Sequence, residues 1–177
     1  MADRIAKLLY GEKIVELKLP AAIPSLEMKP LNALPNPEQA INTALLSPIK
    51  SKPLKELVRG KKTACVVISD FTRPVPNKII LPPLLRTLEQ QGMDPKNITI
   101  LIATGMHRPN LGKELENLVG RDIMDRYPIR NHYCRKSETY RKIDEIEGAP
   151  IEINTCYLDA DLKILTGLIE PHFYAGY

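Results

Sequence analysis

The chain has 177 residues, 44% of them hydrophobic and 26% charged, with a formal net charge of +4. That is enough for one domain with a sizeable core, or one and a fraction. With 5% aromatics, no Trp and basic residues only in short pairs such as Lys61-Lys62 and Arg135-Lys136, a nucleic-acid surface is not indicated. No apolar run approaches the ~20 residues that span a bilayer, and residues 1–7 lack the apolar core of a signal peptide, so no membrane is expected and the cytoplasm is the default location. Cys65, Cys134 and Cys156 form no CxxC and indicate neither a disulfide framework nor a zinc site.

Residues 12–19 roughly alternate polar and apolar, the pattern of a half-exposed strand. Pro20, Pro24, Pro30, Pro35 and Pro37 then exclude a helix or central strand and predict a stiff connector packed on the surface. Residues 1–35 are therefore read as an N-terminal strand and Pro-rich connector, and residues 36–177 as the main domain. Asn36-Pro37 opens a helix, with asparagine at the cap and proline at the first position, and Pro48 ends it. A short helix over 53–58 follows, with Gly60 as its stop.

From Lys62 the pattern changes. Ala64-Cys65-Val66-Val67-Ile68-Ser69-Asp70 is a continuous apolar run ending in an acid, as in a buried parallel strand. A helix over about 78–91, a second buried strand over 97–103 and a helix over 111–119 come next. A short strand is predicted at 128–132, a turn at 146–150, and strands at 150–154 and 161–167; the charged segment 135–144 is ambiguous. This alternation predicts an α/β fold, a mostly parallel sheet flanked by helices in the Rossmann manner. Ligands of such sheets bind outside the carboxyl ends of the strands.

That rule selects three loops. In Asp70-Phe71-Thr72-Arg73-Pro74-Val75-Pro76, a carboxylate ending a buried strand needs a partner or a job. Arg73, held extended by Pro74, suits a carboxylate or phosphate; the alternative is that Asp70 pairs with Arg73 or caps the next helix. In the loop Thr104-Gly105-Met106-His107-Arg108-Pro109, Gly105 permits close backbone approach, His107 can exchange a proton near neutral pH, and Arg108 is a second anion-binding candidate. The loop after residue 166 carries Glu170 and His172, and Gly176 begins a turn suited to an anion. Two histidines facing one ligand would form an acid/base pair suited to racemisation. His132 reads as structural, and the acidic residues of 144–147 as solvated surface.

These three loops, with the segments at 44–49 and 54–60, resemble the N-terminal domain of the nickel-pincer lactate racemase family. The likeness is weaker before residue 36 and between 127 and 150. It implies a two-domain 2-hydroxy-acid racemase or epimerase with its site between domains, using a nickel-pincer nucleotide tethered to a lysine. By motif match, His107 and His172 would be catalytic. Arg73 and Asp70 would serve the substrate, and Asp70, Thr72, Gly105 and Gly176 the cofactor. No metal ligand is expected within these residues. The resemblance places the tethering lysine and a nickel-binding histidine after residue 177, so the isolated chain is expected to be inactive as a racemase. The expected partners are a small 2-hydroxy acid and a C-terminal domain or separate partner subunit. The alternative is an anion- or nucleotide-binding module without catalysis.

Overall fold

The computed structural model describes residues 4–11, 13–24, 29–171 and 176. It divides into two units, Met1–Leu34 and Pro35–Tyr177.

In the first unit, β1 (Arg4–Tyr10) pairs antiparallel with β2 (Lys13–Leu19), with Arg4 opposite Leu19 and Tyr10 opposite Lys13. The strand expected at 12–19 thus belongs to a hairpin whose first arm the sequence did not announce. Ile5, Leu8 and Leu9 break strict alternation in that arm. In the connector, residues 29–34 are exposed and have no regular structure. Its prolines remove donors and fix φ, which excludes helix and ladder without supplying anything to bury.

The second unit is a four-stranded parallel sheet of β3 (Ala64–Ser69), β4 (Ile98–Ala103), β5 (Ile129–Asn131) and β8 (Leu162–Leu165), in the order β5-β4-β3-β8. The chain runs outward from β3 through β4 to β5, then returns to add β8 on the other side of β3. The strand order reverses between β3 and β8, the point at which sheets of this kind offer a crevice at the carboxyl ends of their strands.

The apolar runs sort by face with a period of two. Ala64, Val66 and Ile68 of β3 and Ile98, Ile100 and Ile102 of β4 form the main core with Leu81, Leu84, Leu85 and Leu88 of α3 (Asn77–Gln90). Leu54 of α2 (Leu54–Leu57), Val119 of α4 (Gly112–Val119) and Ile123 of α5 (Arg121–Arg126) complete it. The opposite face holds a small cluster of Cys65, Leu101 and Ala160, against which Cys156 and Tyr157 of α6 (Thr155–Leu158) pack.

α3 continues through Pro82 and Pro83, each of which removes a helical hydrogen bond. Burial of its four leucines offsets that loss. The first helix of this unit, α1 (Pro37–Leu46), is capped as its sequence suggests: the Asn36 carboxamide accepts from the Gln39 amide at 3.0 Å.

The ambiguous charged segment forms β6 (Tyr140–Ile146), which pairs antiparallel with β7 (Ala149–Asn154). Glu147 and Gly148 both have positive φ (50° and 81°) and close the hairpin as a two-residue turn of the primed type. Residues 144–147 are exposed, as expected of a solvated surface.

Candidate active site

The loops after β3 and β4 meet beside the crevice. Ser69, Asp70, Thr72, Arg73, Thr104, Gly105 and His107 are among the residues lining a cavity of about 330 Å³ there. Parallel pairing sets Ser69 opposite Ala103, so the two loops leave the sheet side by side.

Asp70 is 4% exposed and both its carboxylate oxygens are engaged. One accepts from the Thr72 hydroxyl at 2.5 Å and the Thr72 amide at 3.2 Å. The other lies 2.6 Å from His107 Nδ1. Burial would raise the Asp70 carboxyl, but the bonds from Thr72 and His107 outweigh it and hold the group below the usual carboxylate range. Thr72, a residue without an evident partner in the sequence, fixes the carboxylate that faces His107.

His107 is half exposed, and its other ring nitrogen, Nε2, has no partner among the described residues. Its amide donates to the Thr104 carbonyl at 2.9 Å across Gly105, whose φ of +56° is the left-handed conformation glycine adopts without strain. The Thr104 hydroxyl, in turn, donates to the His132 carbonyl.

Arg73 also lines the cavity, and its Nε lies 3.0 Å from Glu170 in the loop after β8. Of the alternatives open for Arg73 and Asp70, the structure pairs Arg73 with Glu170 and Asp70 with His107. That ion pair spans the crevice from the first loop to the third.

Arg108 is not a free anion-binding group. Its guanidinium makes a bidentate pair with Glu114 at 2.9 and 2.7 Å and stacks over Phe71, 4.7 Å from the ring centre. The Arg108 guanidinium and the Asn110 carboxamide hold Glu114 below its ordinary range. Asn110, fully buried, ties this cluster to the sheet. Its amide donates to the Asn131 side chain at 2.8 Å, and its own carboxamide donates to Glu114 at 2.5 Å and accepts from the Phe71 amide at 3.4 Å. In the sequence Asn131 is one residue of the predicted short strand and Asn110 lies between the second buried strand and the next helix, and nothing there announces that they pair.

His132, just past β5, sits between Tyr140 and Asn154, each 3.4 Å from a ring nitrogen. Burial lowers its pKa. These contacts agree with a structural role. His172 lies outside the described residues. Gly176 is exposed, with φ of +74°.

The depressed Asp70 carboxyl has a consequence for acid stability. Its folded pKa lies below the unfolded value of about 3.9. The stabilisation is therefore complete above that value and is lost as pH falls through the folded pKa. Thermal melts of Asp70→Asn are expected to show a shallower loss of stability below about pH 4 than the parent. Identical acid limbs would mean that the Thr72 and His107 contacts do not favour the ionised form.

A parallel sheet in the strand order 3-2-1-4, with a buried carboxylate paired to a half-exposed imidazole where the loops after β3 and β4 meet, defines an α/β domain with a candidate site at the carboxyl edge of its sheet. The lactate racemase N-terminal domain model matches residues 10–177, and the chain belongs to this family. It is 39% identical over 141 residues to the lactate racemase of Thermoanaerobacterium thermosaccharolyticum and 41% identical over 141 residues to that of Lactiplantibacillus plantarum. Each match covers 79% of this chain and 33% of the relative, so the matched region spans a third of the curated relatives' length. The lactate racemase apoprotein structure from T. thermosaccharolyticum superimposes with a TM-score of 0.79 and 34% identity, over 97% of this chain and 40% of that one. A Thermotoga maritima protein shares the fold, with a TM-score of 0.56 and 24% identity over 80% of this chain and 34% of that one.

Proposed function

We propose that this domain supplies the proton-transfer and carboxylate-binding side of a lactate racemase-type active site. The observation that carries the proposal is the 2.6 Å contact between Asp70 and His107 Nδ1 at the mouth of the cavity. With Nδ1–H donating to a buried carboxylate, the neutral ring keeps its lone pair on Nε2. Nε2 takes the hydroxyl proton of a bound 2-hydroxy acid; the hydride acceptor that oxidation of the carbon requires would be supplied by the racemase's cofactor, held by residues other than those described. The same ring returns the proton when the hydrogen is delivered back. In this reading His172 performs the matching transfer for the opposite enantiomer.

Arg73 holds the substrate carboxylate through its planar fork. Glu170, which pairs with that guanidinium, gives way to the substrate. Phe71, Met106 and Ile169 expose apolar surface on the loops of this edge, which suits a cleft closed by further polypeptide.

The residues described do not fit a nickel site. No group of three or more His, Cys, Asp or Glu among them could hold a metal ion, and Asp70 and His107 are turned to each other. Nickel in a racemase carrying this domain would be held by other residues. Of the positions assigned to a cofactor, Gly105 borders the open cavity, whereas the Thr72 hydroxyl is committed to Asp70.

The carboxylate assignment is tested by Arg73→Met in a cofactor-loaded racemase carrying this domain. Loss of a charge-assisted pair is expected to raise KM for lactate by about 10-fold or more, with a smaller effect on kcat. An unchanged KM would leave Arg73 as a partner of Glu170 alone and remove it from the substrate site.

A further inference from the structure

The other edge of the sheet carries a second group of reactive side chains that the proton-transfer site does not use. A cavity of about 320 Å³ lies at the amino ends of β3 and β4 and is lined by Thr63, Lys96, Thr99, Arg130, Cys156 and Asp159, among others. Cys156, on α6, packs against the small cluster that holds the fully buried Cys65 of β3, so the two cysteines share one apolar contact region. Both are free thiols. Neither Arg130 nor Lys96 has a carboxylate partner among the described residues.

We propose that Cys156 and Cys65 form an oxidisable dithiol, with Cys156 the thiol attacked first and Cys65 the one that resolves it into a disulfide. Position separates the roles. Cys156 borders a cavity that a small oxidant can enter, whereas Cys65 is fully buried in the strand and does not line it. The thiolate is favoured on the same side. The neighbouring Cys65 thiol, the Arg130 charge and the Thr99 hydroxyl together outweigh burial and bring Cys156 down to about 7. The neighbouring Cys156 and burial push Cys65 up. A low-pKa thiolate facing a cavity, with a second thiol behind it, is the arrangement of redox-sensitive cysteines.

The reaction balances with a hydroperoxide as oxidant. The Cys156 thiolate attacks one peroxide oxygen, an S–O bond forms and the O–O bond breaks. The departing oxygen leaves as water or an alcohol after taking a proton. The Cys65 sulfur then attacks the Cys156 sulfenic acid, the S–S bond forms, and the S–O bond breaks with loss of water. Two thiols give up two electrons and the peroxide accepts them. The resulting bond would clamp α6, and with it the end of β7, onto the central strand.

The test uses the 177-residue chain, treated with hydrogen peroxide, alkylated and mapped by mass spectrometry. A Cys65–Cys156 linked peptide that thiol reductant reverses is expected, with Cys134 still alkylated. In Cys65→Ala the expected product is a sulfenic acid at Cys156, trapped by dimedone; in Cys156→Ser, Cys65 stays reduced. Before oxidation, Cys156 should react with iodoacetamide at pH 7 about 10-fold faster than free cysteine. Oxidation that begins at Cys134, or that takes Cys156 to the sulfinic acid with Cys65 still reduced, would overturn the proposal. Circular dichroism of both variants shows whether the fold is kept. The wild-type peptide map decides the matter by itself should either variant fail to fold.

Discussion

Asp70→Asn is expected to lower lactate interconversion by about 10²–10⁴-fold in a cofactor-loaded racemase carrying this domain, the range for a positioned acid/base group and its orienting carboxylate. Asparagine keeps the shape but removes the charge that favours the Nδ1–H form of His107, so the lone pair is no longer reserved for Nε2. It also offers an amide hydrogen where the Thr72 hydroxyl now donates. His107→Ala is expected to fall in the same range, and the double variant little further, because the two residues act as one unit. The loss should appear in kcat with KM nearly unchanged, the reverse of the pattern expected for Arg73→Met. Turnover within about 3-fold of the parent in either single variant would remove the pair from the chemistry. NMR spectra of the 177-residue variants distinguish such a loss from misfolding.

The second large effect is on stability. Leu88→Ala in α3 is expected to cost about 2–5 kcal/mol, a large share of the 5–15 kcal/mol that holds a typical domain together. Leu88 is fully buried, in the core that α3 shares with β3 and β4. The surrounding strands are bonded on both sides and cannot collapse into the space. Since α3 already lacks two helical bonds at Pro82 and Pro83, its docking depends on these leucines more than on its own backbone. Chemical denaturation would register the change as a lower midpoint at constant slope. A loss under about 1 kcal/mol would show that this core repacks around the gap.

The parallel strands were legible because burial on both faces leaves continuous apolar runs, as at Ala64 to Ile68 and Ile98 to Ala103. The strand-end loops followed from the fold rule, and Asp70, Arg73 and His107 do line one cavity. Pairings were less legible, because they depend on which long-range neighbour arrives. Arg108 and Arg73 look alike in sequence, each followed by proline. One is locked by Glu114 and Phe71, and the other reaches across to Glu170. The hairpin arm β6 was hidden by its charge, since a strand exposed along most of its length needs no apolar pattern. Cys65, inside an apolar strand run, is fully buried. Its meeting with Cys156 depends on a four-residue helix that no periodicity can announce.

The order of strands also sets an order of events in synthesis. The strands that position Asp70 and His107 are neighbours in both sequence and space, so their half of the crevice can form while the ribosome is still making the rest. β8 joins β3 only later: Thr166 donates to the Val67 carbonyl, 99 positions away. Closing so long a loop is slow compared with pairing nearby segments. Until it closes, one edge of the central strand is unpaired and open to any passing chain. The arginine gains its glutamate last, so a nascent domain carries its Asp70–His107 pair before it carries a finished pocket.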